Sequence, residues 1–511
     1  MSERTSSLGV AGRLPVDSAR SPPLCACLQR VFKTALCVSV PFVHRFLVAD
    51  PQRLGANAVD LAYVAGLEGI PWRSRNTLND GVLTLRREID DTGAVFIPWR
   101  VDGGGQVALC TASLMTRDEP YHLAIELARG TLNRFRNQRA TWESLGLHTG
   151  PHTRDSADAA VHAFVAALAA VKQPDGAERA SQEAIRHAVA ALSHLAENYS
   201  QQAIRLRHDQ ATRLGTLWGA QLDDATLNRK LYAALAPAVN TVALSPRWMA
   251  VERDAGRCDW TVPDQQARWA AGHKLRPCVG PIIHLDRRGT PDWLYLWEED
   301  FEAVQSYVEQ YTLQVVNRYR GQVVLWHVAA GLNTDDALSL GEEERLRLCV
   351  AAIDVARRAD PQTPLVVSFD QPWAEYLGRQ ALDLSPLHYA DALIRAEVGL
   401  SAIGLEINLG HNAGCTLPRD PVELSQQIDR WSLLGLPLIV YLSAENNGPL
   451  VELVEQYLHI LLAKQAVRGV FWRRLQDDPQ ASHAHAGLFT AAGAAKPWLK
   501  TLREMRQKHL H

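Results

Sequence analysis

Three acidic side chains, Asp370, Glu406 and Glu445, lie at or near the ends of apolar, strand-like stretches. Carboxyl groups held close together can act as general acid, general base or nucleophile. A pair about 5 to 5.5 Å apart serves retaining glycoside hydrolysis, and a pair about 6.5 to 9.5 Å apart serves the inverting reaction. These residues are the catalytic candidates if their strands end at one edge. The alternatives are a buried ion pair of Glu406 with Arg247 or His284, and a solvated loop position for Glu445.

Metal and cofactor chemistry have weaker support. His284 and His327 could join Glu406 as three ligands from separate strands, but hydrogen-bonded core histidines are commoner, and no metal is predicted. The eight cysteines are scattered without a Cys-x-x-Cys pair, which argues against zinc and for reduced thiols. The glycine-rich loop at 102–105 is not followed by a Lys-Ser/Thr helix start, so it predicts a hairpin turn, and no cofactor is expected.

The composition indicates a soluble, multidomain protein without an electrostatic partner. The chain has 511 residues, enough for two or three domains. A formal net charge of -3 gives no general attraction to nucleic acid or anionic membrane. The chain has 14 Trp against 10 Phe, and indole faces are suited to stacking on sugar rings, although most Trp residues fill cores.

A cytoplasmic location is expected. No apolar run approaches the roughly 20 residues that span a bilayer. The run at 34–43 is closed by His44 and Arg45 without a clear cleavage motif, so a weak secretion signal is the alternative to a first strand.

The N-terminal half divides into three predicted parts. Residues 1–35 form a disordered leader, 36–145 a β-rich, sandwich-like domain, and 146–210 a helical connector. Turn residues between short β-rich runs predict the antiparallel sandwich, for which a carbohydrate-binding role rests on analogy alone. Ala-rich, helically periodic segments predict an αα-hairpin, and a coiled-coil dimerisation arm is the alternative.

The C-terminal part, 211–511, alternates strand-like and helical segments. Eight such units predict an α/β fold of the (β/α)8 TIM barrel type, whose functional groups lie at the carboxyl ends of its strands. The predicted strands lie near Leu217, Val239, Cys278, Val323, Leu365, Ile403, Leu438 and Val470.

Motifs in this part resemble those of the xylanase-type glycoside hydrolases of family 10. The segment 318–331 resembles the family's Arg-Tyr-x-Gly-x-x-x-x-Trp-Asp-Val-Val-Asn-Glu signature, in which the final Glu is the acid/base catalyst. Its matching residues include Arg318, Gly321 and Trp326, but Gly331 stands at the catalytic position. The segment 435–437 aligns with Gly-Leu-Pro before the nucleophile strand, and places Leu442 at the nucleophile.

The resemblance extends in order along the barrel. Trp248 with the later Glu252 and Gly256 matches a second-strand motif, Asp370 is the polar match on the fifth strand, and Glu406 and Asn408 take cleft-facing positions on the sixth. The resemblance implies substrate contacts for the following residues: Arg247, Trp248, His284, His327, Asn408 and Trp472.

The resemblance implies a protein of carbohydrate metabolism that binds an oligo- or polysaccharide. Because Gly331 and Leu442 carry no ionisable group, endo-xylanase activity is expected to be lost. The alternatives are hydrolysis by relocated carboxylates (Glu406 with Asp370 or Glu445) and a non-catalytic protein-interaction scaffold. The oligomeric state stays open.

Overall fold

A computed structural model describes residues 42–511, except 56, 89–90, 223–227, 335–336, 446–447 and 480–482. The predicted leader at 1–35 and most of the apolar run at 34–43 lie outside the described residues. Within the described part, every helix is too short or too polar to cross a bilayer.

Two four-stranded sheets form the N-terminal domain. Their spatial orders are β4-β5-β1-β8 and β3-β2-β6-β7, and all pairs are antiparallel except the short β1–β8 contact. Their inner faces share an apolar core that includes Phe46, Leu85 and Trp99, which confirms the predicted β-rich domain. The strands are β1 (Phe42–Leu47), β2 (Tyr63–Ala65), β3 (Pro71–Trp72), β4 (Arg75–Asn79), β5 (Val82–Arg87), β6 (Ala94–Val101), β7 (Gly105–Cys110) and β8 (Tyr121–His122).

Four helices accompany and follow these sheets: α1 (Ala58–Leu61), α2 (Leu123–Ser144), α3 (Pro151–Ala169) and α4 (Pro174–Gln210). Helix α4 begins at Pro174, because a proline in the first turn needs no N–H partner. Helices α3 and α4 pack as a hairpin. Ala184 and Ile185 of α4 join the sandwich core, whereas Leu192 and Leu195 join the barrel core, so one helix buttresses both.

The C-terminal part is a closed barrel of eight parallel strands, which confirms the predicted fold. The strands are β9 (Leu217–Gln221), β10 (Thr241–Leu244), β11 (Arg276–Val279), β12 (Leu325–Ala330), β13 (Leu365–Asp370), β14 (Ala402–Leu409), β15 (Leu438–Ala444) and β16 (Val467–Trp472). The helices are α5 (Arg229–Leu235), α6 (Trp248–Val251), α7 (Thr261–Gly272), α8 (Phe301–Tyr319), α9 (Glu342–Ala359), α10 (Pro386–Arg395), α11 (Pro421–Ser432), α12 (Gly448–Ala463) and α13 (Pro497–His509).

Alternation along each barrel strand separates two apolar layers. Val366, Tyr441 and Phe471 belong to the cluster that fills the barrel interior. Their neighbours, such as Val440 and Leu442, belong to the layer packed against the surrounding helices. Since successive side chains of a strand point to opposite faces, this alternation decides which residues at the strand ends face the barrel mouth.

Two buried arginines join the N-terminal domain to the barrel. Arg419, which is fully buried, bonds to the Tyr63 hydroxyl of β2 at 2.6 Å, to Glu375 at 3.1 Å and to Glu423 at 2.5 Å. Arg134 of α2 lies 2.9 Å from Glu423. Buried charges are tolerated only when they are paired, so this network holds the two parts in one arrangement.

Candidate functional site: a polar cavity at the barrel mouth

A cavity of about 490 Å³ opens at the carboxyl ends of the barrel strands. This volume lies within the usual range for small-molecule sites, which is about 300 to 1,000 Å³. Residues at or after the carboxyl ends of all eight strands contribute polar groups to it, among them Gln221, Arg247, His284, Asp286, Thr334, Asp370, Gln371, Glu406, Asn408, Ser443, Arg473 and Arg474.

Two carboxylates lie side by side in this cavity. Asp370 at the end of β13 is the register partner of Glu406 on β14. Glu406 is 1% exposed, and its two oxygens have different partners. One accepts a short hydrogen bond from the Ser368 hydroxyl, and the other lies 2.5 Å from Nη1 of Arg473. The structure thus brings together two of the three predicted acids.

The surroundings shift the two pKa values in opposite directions. Burial and the neighbouring charge of Glu406 raise the pKa of Asp370 to about 7. Burial also disfavours the ionised form of Glu406, but Arg473, His284 and the Ser368 hydroxyl favour it more strongly, so its pKa is lowered. Between the two pKa values the pair therefore holds one proton, chiefly on Asp370, and can both donate and accept a hydrogen bond.

A hydrogen-bonded chain extends from Asp370 along the mouth. The Asn408 amide donates to Oδ1 of Asp370 at 2.9 Å, and the Ser443 hydroxyl donates to Oδ1 of Asn408 at 2.7 Å. The Asn333 side chain holds the backbone of Asp370 through bonds of 2.9 and 3.0 Å. These contacts fix the orientation of the carboxyl group before any ligand enters.

The position that the resemblance gives to the acid/base catalyst lies at the mouth. Gly331 directly follows β12 and lines the cavity, with a φ of 66° that favours glycine. It offers no side chain for proton transfer. The acid/base role therefore has no functional group at position 331, although a longer side chain at this position would reach the cavity.

The structure changes the face assigned to the nucleophile position. Leu442 is fully buried in the layer between the barrel and the helices, whereas Ser443 lines the cavity. The pairing of β15 with β14 is regular from Leu438 to Ala444, so its side chains alternate: Tyr441 faces the barrel interior, Leu442 the surrounding helices and Ser443 the mouth. The strand end thus presents the Ser443 hydroxyl to the mouth, and again no carboxylate.

Four of the predicted substrate contacts line the cavity: Arg247, Trp248, His284 and Asn408. The Trp248 indole N–H donates to Glu252 at 2.8 Å, and its ring lies parallel to Tyr311 at 4.8 Å. This packing fixes Trp248 as a rigid part of the wall.

Two predicted substrate contacts, His327 and Trp472, are absent from the described residues that line the cavity. His327 is buried inside the barrel, accepts or donates a 2.7 Å hydrogen bond with Ser368, and stacks on Tyr441. Burial lowers the pKa of His327 to about 3, so it is neutral. Trp472 points outward, with its indole N–H donating to the Ala486 carbonyl and its ring against Trp498.

Glu445, the third acid, follows β15 but is absent from the described residues that line the cavity. The metal alternative also loses its geometry, because Glu406 is paired with Arg473 and His327 with Ser368. Within the described residues, no three His, Cys, Asp or Glu side chains are arranged to hold a metal ion.

Arg473 is the functional residue that sequence reasoning missed. It forms an ion pair with Glu406, and His284, one of the two expected partners, also favours the ionised form of Glu406 and so lowers its pKa. A signal was available, because Arg473 follows Phe471 by two positions and so continues the inward face of β16. Its carboxylate partner lies on a non-adjacent strand, which no local pattern reveals.

The chain is similar to proteins that are named as xylanases. No family model matches the chain. An endo-1,4-beta-xylanase of Agaricus bisporus is 24% identical over 276 residues, which cover 51% of this chain and 78% of that protein. Among solved structures, xylanase 10B of Thermotoga maritima has 16% identity, covers 59% of this chain and 98% of its own, and has a TM-score of 0.47. Xylanase B of Clostridium stercorarium F9 has 14% identity, coverage of 59% and 98%, and a TM-score of 0.44.

The fold and the site define a (β/α)8 barrel with a polar, carboxylate-bearing mouth. The ordered motifs, the closed barrel and the curated xylanase relative agree on its type. The barrel resembles, as a divergent relative, the xylanase-type glycoside hydrolases of family 10.

Proposed function

We propose that the barrel mouth binds a saccharide and lacks the two-carboxylate hydrolysis of family 10 enzymes. The observation that carries this proposal is the pair of strand ends where Gly331 and Ser443 face the cavity. A retaining mechanism needs one carboxyl group as nucleophile and one as acid/base. Neither glycine nor serine supplies one, so the covalent reaction has no route through these positions.

The same cavity has the polar groups that bind sugar hydroxyls. Gln371, Asn408 and Ser443 supply amide and hydroxyl groups, and Trp248 adds an aromatic edge to the wall. A few oriented polar groups in a pocket of this size are what fix a small ligand.

The test is titration calorimetry of the full chain with xylo- and gluco-oligosaccharides, chosen because the curated relative is named as a xylanase. We expect measurable heat with at least one of them, and binding at least about tenfold weaker in His284→Ala, since about 1.4 kcal/mol is a factor of ten. His162→Ala, on the exposed face of α3, is the matched control and should bind like the unsubstituted protein. No heat with any oligosaccharide would remove saccharide binding from the proposal.

A second candidate function is hydrolysis with Asp370 as general acid and Glu406 as base. The opposed pKa shifts favour it, because a protonated and an ionised carboxyl group are then available together. The contacts of Glu406 with Arg473 and Ser368 oppose it, because they occupy the lone pairs that a base would use.

A sensitive aryl xyloside or aryl glucoside measures this activity directly. If the pair is catalytic, Glu406→Gln lowers the rate by about 10² to 10⁴. An unchanged rate, or no turnover by the unsubstituted protein, would exclude the pair from catalysis and leave saccharide binding untouched.

A further inference from the structure

Two of the loops at the barrel mouth pack against the N-terminal domain. The loop after β13 supplies Gln371 and Gln380 to the cavity, and the loop after β14 supplies Ala413 and Gly414. The described residues that line the cavity all belong to the barrel, whereas both loops contact the N-terminal domain on their other side. The N-terminal domain therefore supports part of the cavity wall from behind.

The loop after β14 is attached to β7 on both sides of its cavity-lining residues. Before them, Nε2 of His411 donates a hydrogen bond of 3.0 Å to the carbonyl of Gln106, since a carbonyl oxygen can only accept. After them, the N–H of Ala108 donates to the carbonyl of Pro418 at 2.7 Å. Leu417 is 1% exposed and packs in one apolar cluster with residues of β2 and β7. The segment that lines the cavity is therefore held at both ends by the N-terminal domain.

The loop after β13 has comparable support. The carbonyl of Gly378 accepts a 3.3 Å hydrogen bond from the N–H of Ser74, which follows β3. The two chains approach closely at this point, because a Cβ added to Gly378 would lie 3.1 Å from Cβ of Tyr63. Ile70, which precedes β3, packs against the buried cluster that contains Leu377. The N-terminal domain thus fixes the backbone of this loop two residues before the loop reaches the cavity.

Hydrogen bonds connect the two supported loops with each other and with the acid pair. Nη2 of Arg379 donates to the carbonyl of Ala413 at 2.7 Å, which joins the loops. The N–H of Thr416 donates to the carbonyl of Asn408 at 2.8 Å, and the Asn408 amide donates to Asp370 at 2.9 Å. A displacement of the loop after β14 would therefore reach both the cavity wall and Asp370.

We propose that the N-terminal domain is a positioning domain for the mouth, which sets the affinity for the saccharide through the His411 contact without touching the ligand. The inference rests on the proposed saccharide-binding function and adds the role of the N-terminal domain. Loops that are ordered before a ligand enters lose less conformational entropy on binding, so pre-organisation raises affinity. A carbohydrate-binding domain that acts by itself would leave the affinity of the barrel mouth unchanged when this contact is removed.

Hydrogen–deuterium exchange of the full chain, without any ligand, tests the positioning role. His411→Ala removes the donor, and amide exchange at Gly410 and Thr416, whose N–H groups bond within the loop, should become about tenfold faster or more. His411→Gln retains an N–H donor and should exchange like the unsubstituted protein. The loop after β11, where the Gly289 N–H bonds to the Asp286 carbonyl, is the internal control and should exchange at the same rate in all three proteins. Unchanged exchange of the loop after β14 in His411→Ala would overturn the inference.

Calorimetry with xylotriose and cellotriose then measures the effect on binding. The probe that binds the unsubstituted protein should bind His411→Ala at least about fivefold more weakly, and His411→Gln within about twofold. His162→Ala, on the exposed face of α3, is the control and should leave the affinity unchanged.

Two outcomes would overturn this inference while the proposed saccharide binding stands: equal affinity in His411→Ala and the unsubstituted protein, or a loss of affinity that is as large in His411→Gln as in His411→Ala. Absence of binding by both probes would instead overturn the proposed saccharide binding, and with it the effect on affinity. The exchange measurement would then still decide whether the N-terminal domain positions the loop.

Discussion

The opposed titration of Asp370 and Glu406 leads to a prediction about stability as well as chemistry. We expect Asp370→Asn to stabilise the protein at neutral pH. The folded state holds the pKa of Asp370 at about 7, against an ordinary value of 3.8. A carboxyl group with a raised folded pKa retains its proton in the folded state after the unfolded state has lost it. The contribution of Asp370 to the free energy of unfolding is therefore fully present below about pH 4. It decreases as the pH rises to about 7 and is constant at higher pH.

The magnitude follows from the size of the shift. Each unit of pKa difference corresponds to about 1.4 kcal/mol, so a shift of about three units sets an upper limit of about 4 kcal/mol. Asp370 lines an open cavity and is only partly buried, so solvent reduces this figure to about 2 kcal/mol. The asparagine keeps an oxygen that can accept the hydrogen bond from Asn408 and carries no titratable group.

Urea denaturation at pH 4.0, 5.0, 6.0 and 7.5 measures the difference in the free energy of unfolding between Asp370→Asn and the unsubstituted protein. That difference should move by about 2 kcal/mol in favour of the variant between pH 4.0 and 7.5. Effects of the substitution that are independent of pH cancel in this comparison. Asp158→Asn, on the exposed face of α3, should give a difference that does not change with pH. A constant difference for Asp370→Asn as well would refute the raised pKa.

Two further predictions concern the arrangement of the barrel. Leu442→Glu should lower the free energy of unfolding by about 4 kcal/mol or more, because it buries an unpaired charge between the barrel and the helices. Ser443→Glu should lower it by only about 1 to 2 kcal/mol, because its side chain enters the cavity. Equal costs in urea denaturation would contradict the assigned faces of β15. Arg419→Met should cost about 3 to 5 kcal/mol, since it leaves buried carboxylates unpaired, and should loosen the N-terminal domain, detected as faster proteolysis between the sheets and the barrel. The control is Arg395→Met on the surface, which should lower the free energy of unfolding by less than about 1 kcal/mol. An equally small loss for Arg419→Met would show that the buried network does not join the domains.

Local patterns were sufficient for the fold. Each barrel strand is a short apolar run, and each predicted strand coincides with an observed one or lies within two residues of it. The turn at Asn79-Asp80-Gly81 predicted the hairpin of β4 and β5, because Asp80 and Gly81 both adopt positive φ there. Strand order within a (β/α)8 barrel follows chain order, so Asp370 and Glu406, on successive strands, were expected at one edge.

The faces of the side chains were harder to predict than the strands. Regular alternation along β15 places Leu442 in the outer layer and Ser443 at the mouth, although the aligned motif implied a cleft-facing residue at position 442. Trp472 likewise faces outward, although the matched motif implied a lid over the sugar site. The sequence pattern is nearly continuous in apolar residues along these strands, so it carries little information about which face is which.

The amino-acid sequence by itself determined the eight strand-helix units, the β-rich domain before them, and the absence of a carboxylate at Gly331. It did so because period, turn chemistry and residue type are local properties. Only the tertiary structure decided that Glu406 pairs with Arg473, that burial and Glu406 raise the pKa of Asp370, and that arginines line the cavity at the mouth. These are effects of burial and charge summed over residues distant in the chain, and distance in space is set by the closed barrel and not by the sequence interval.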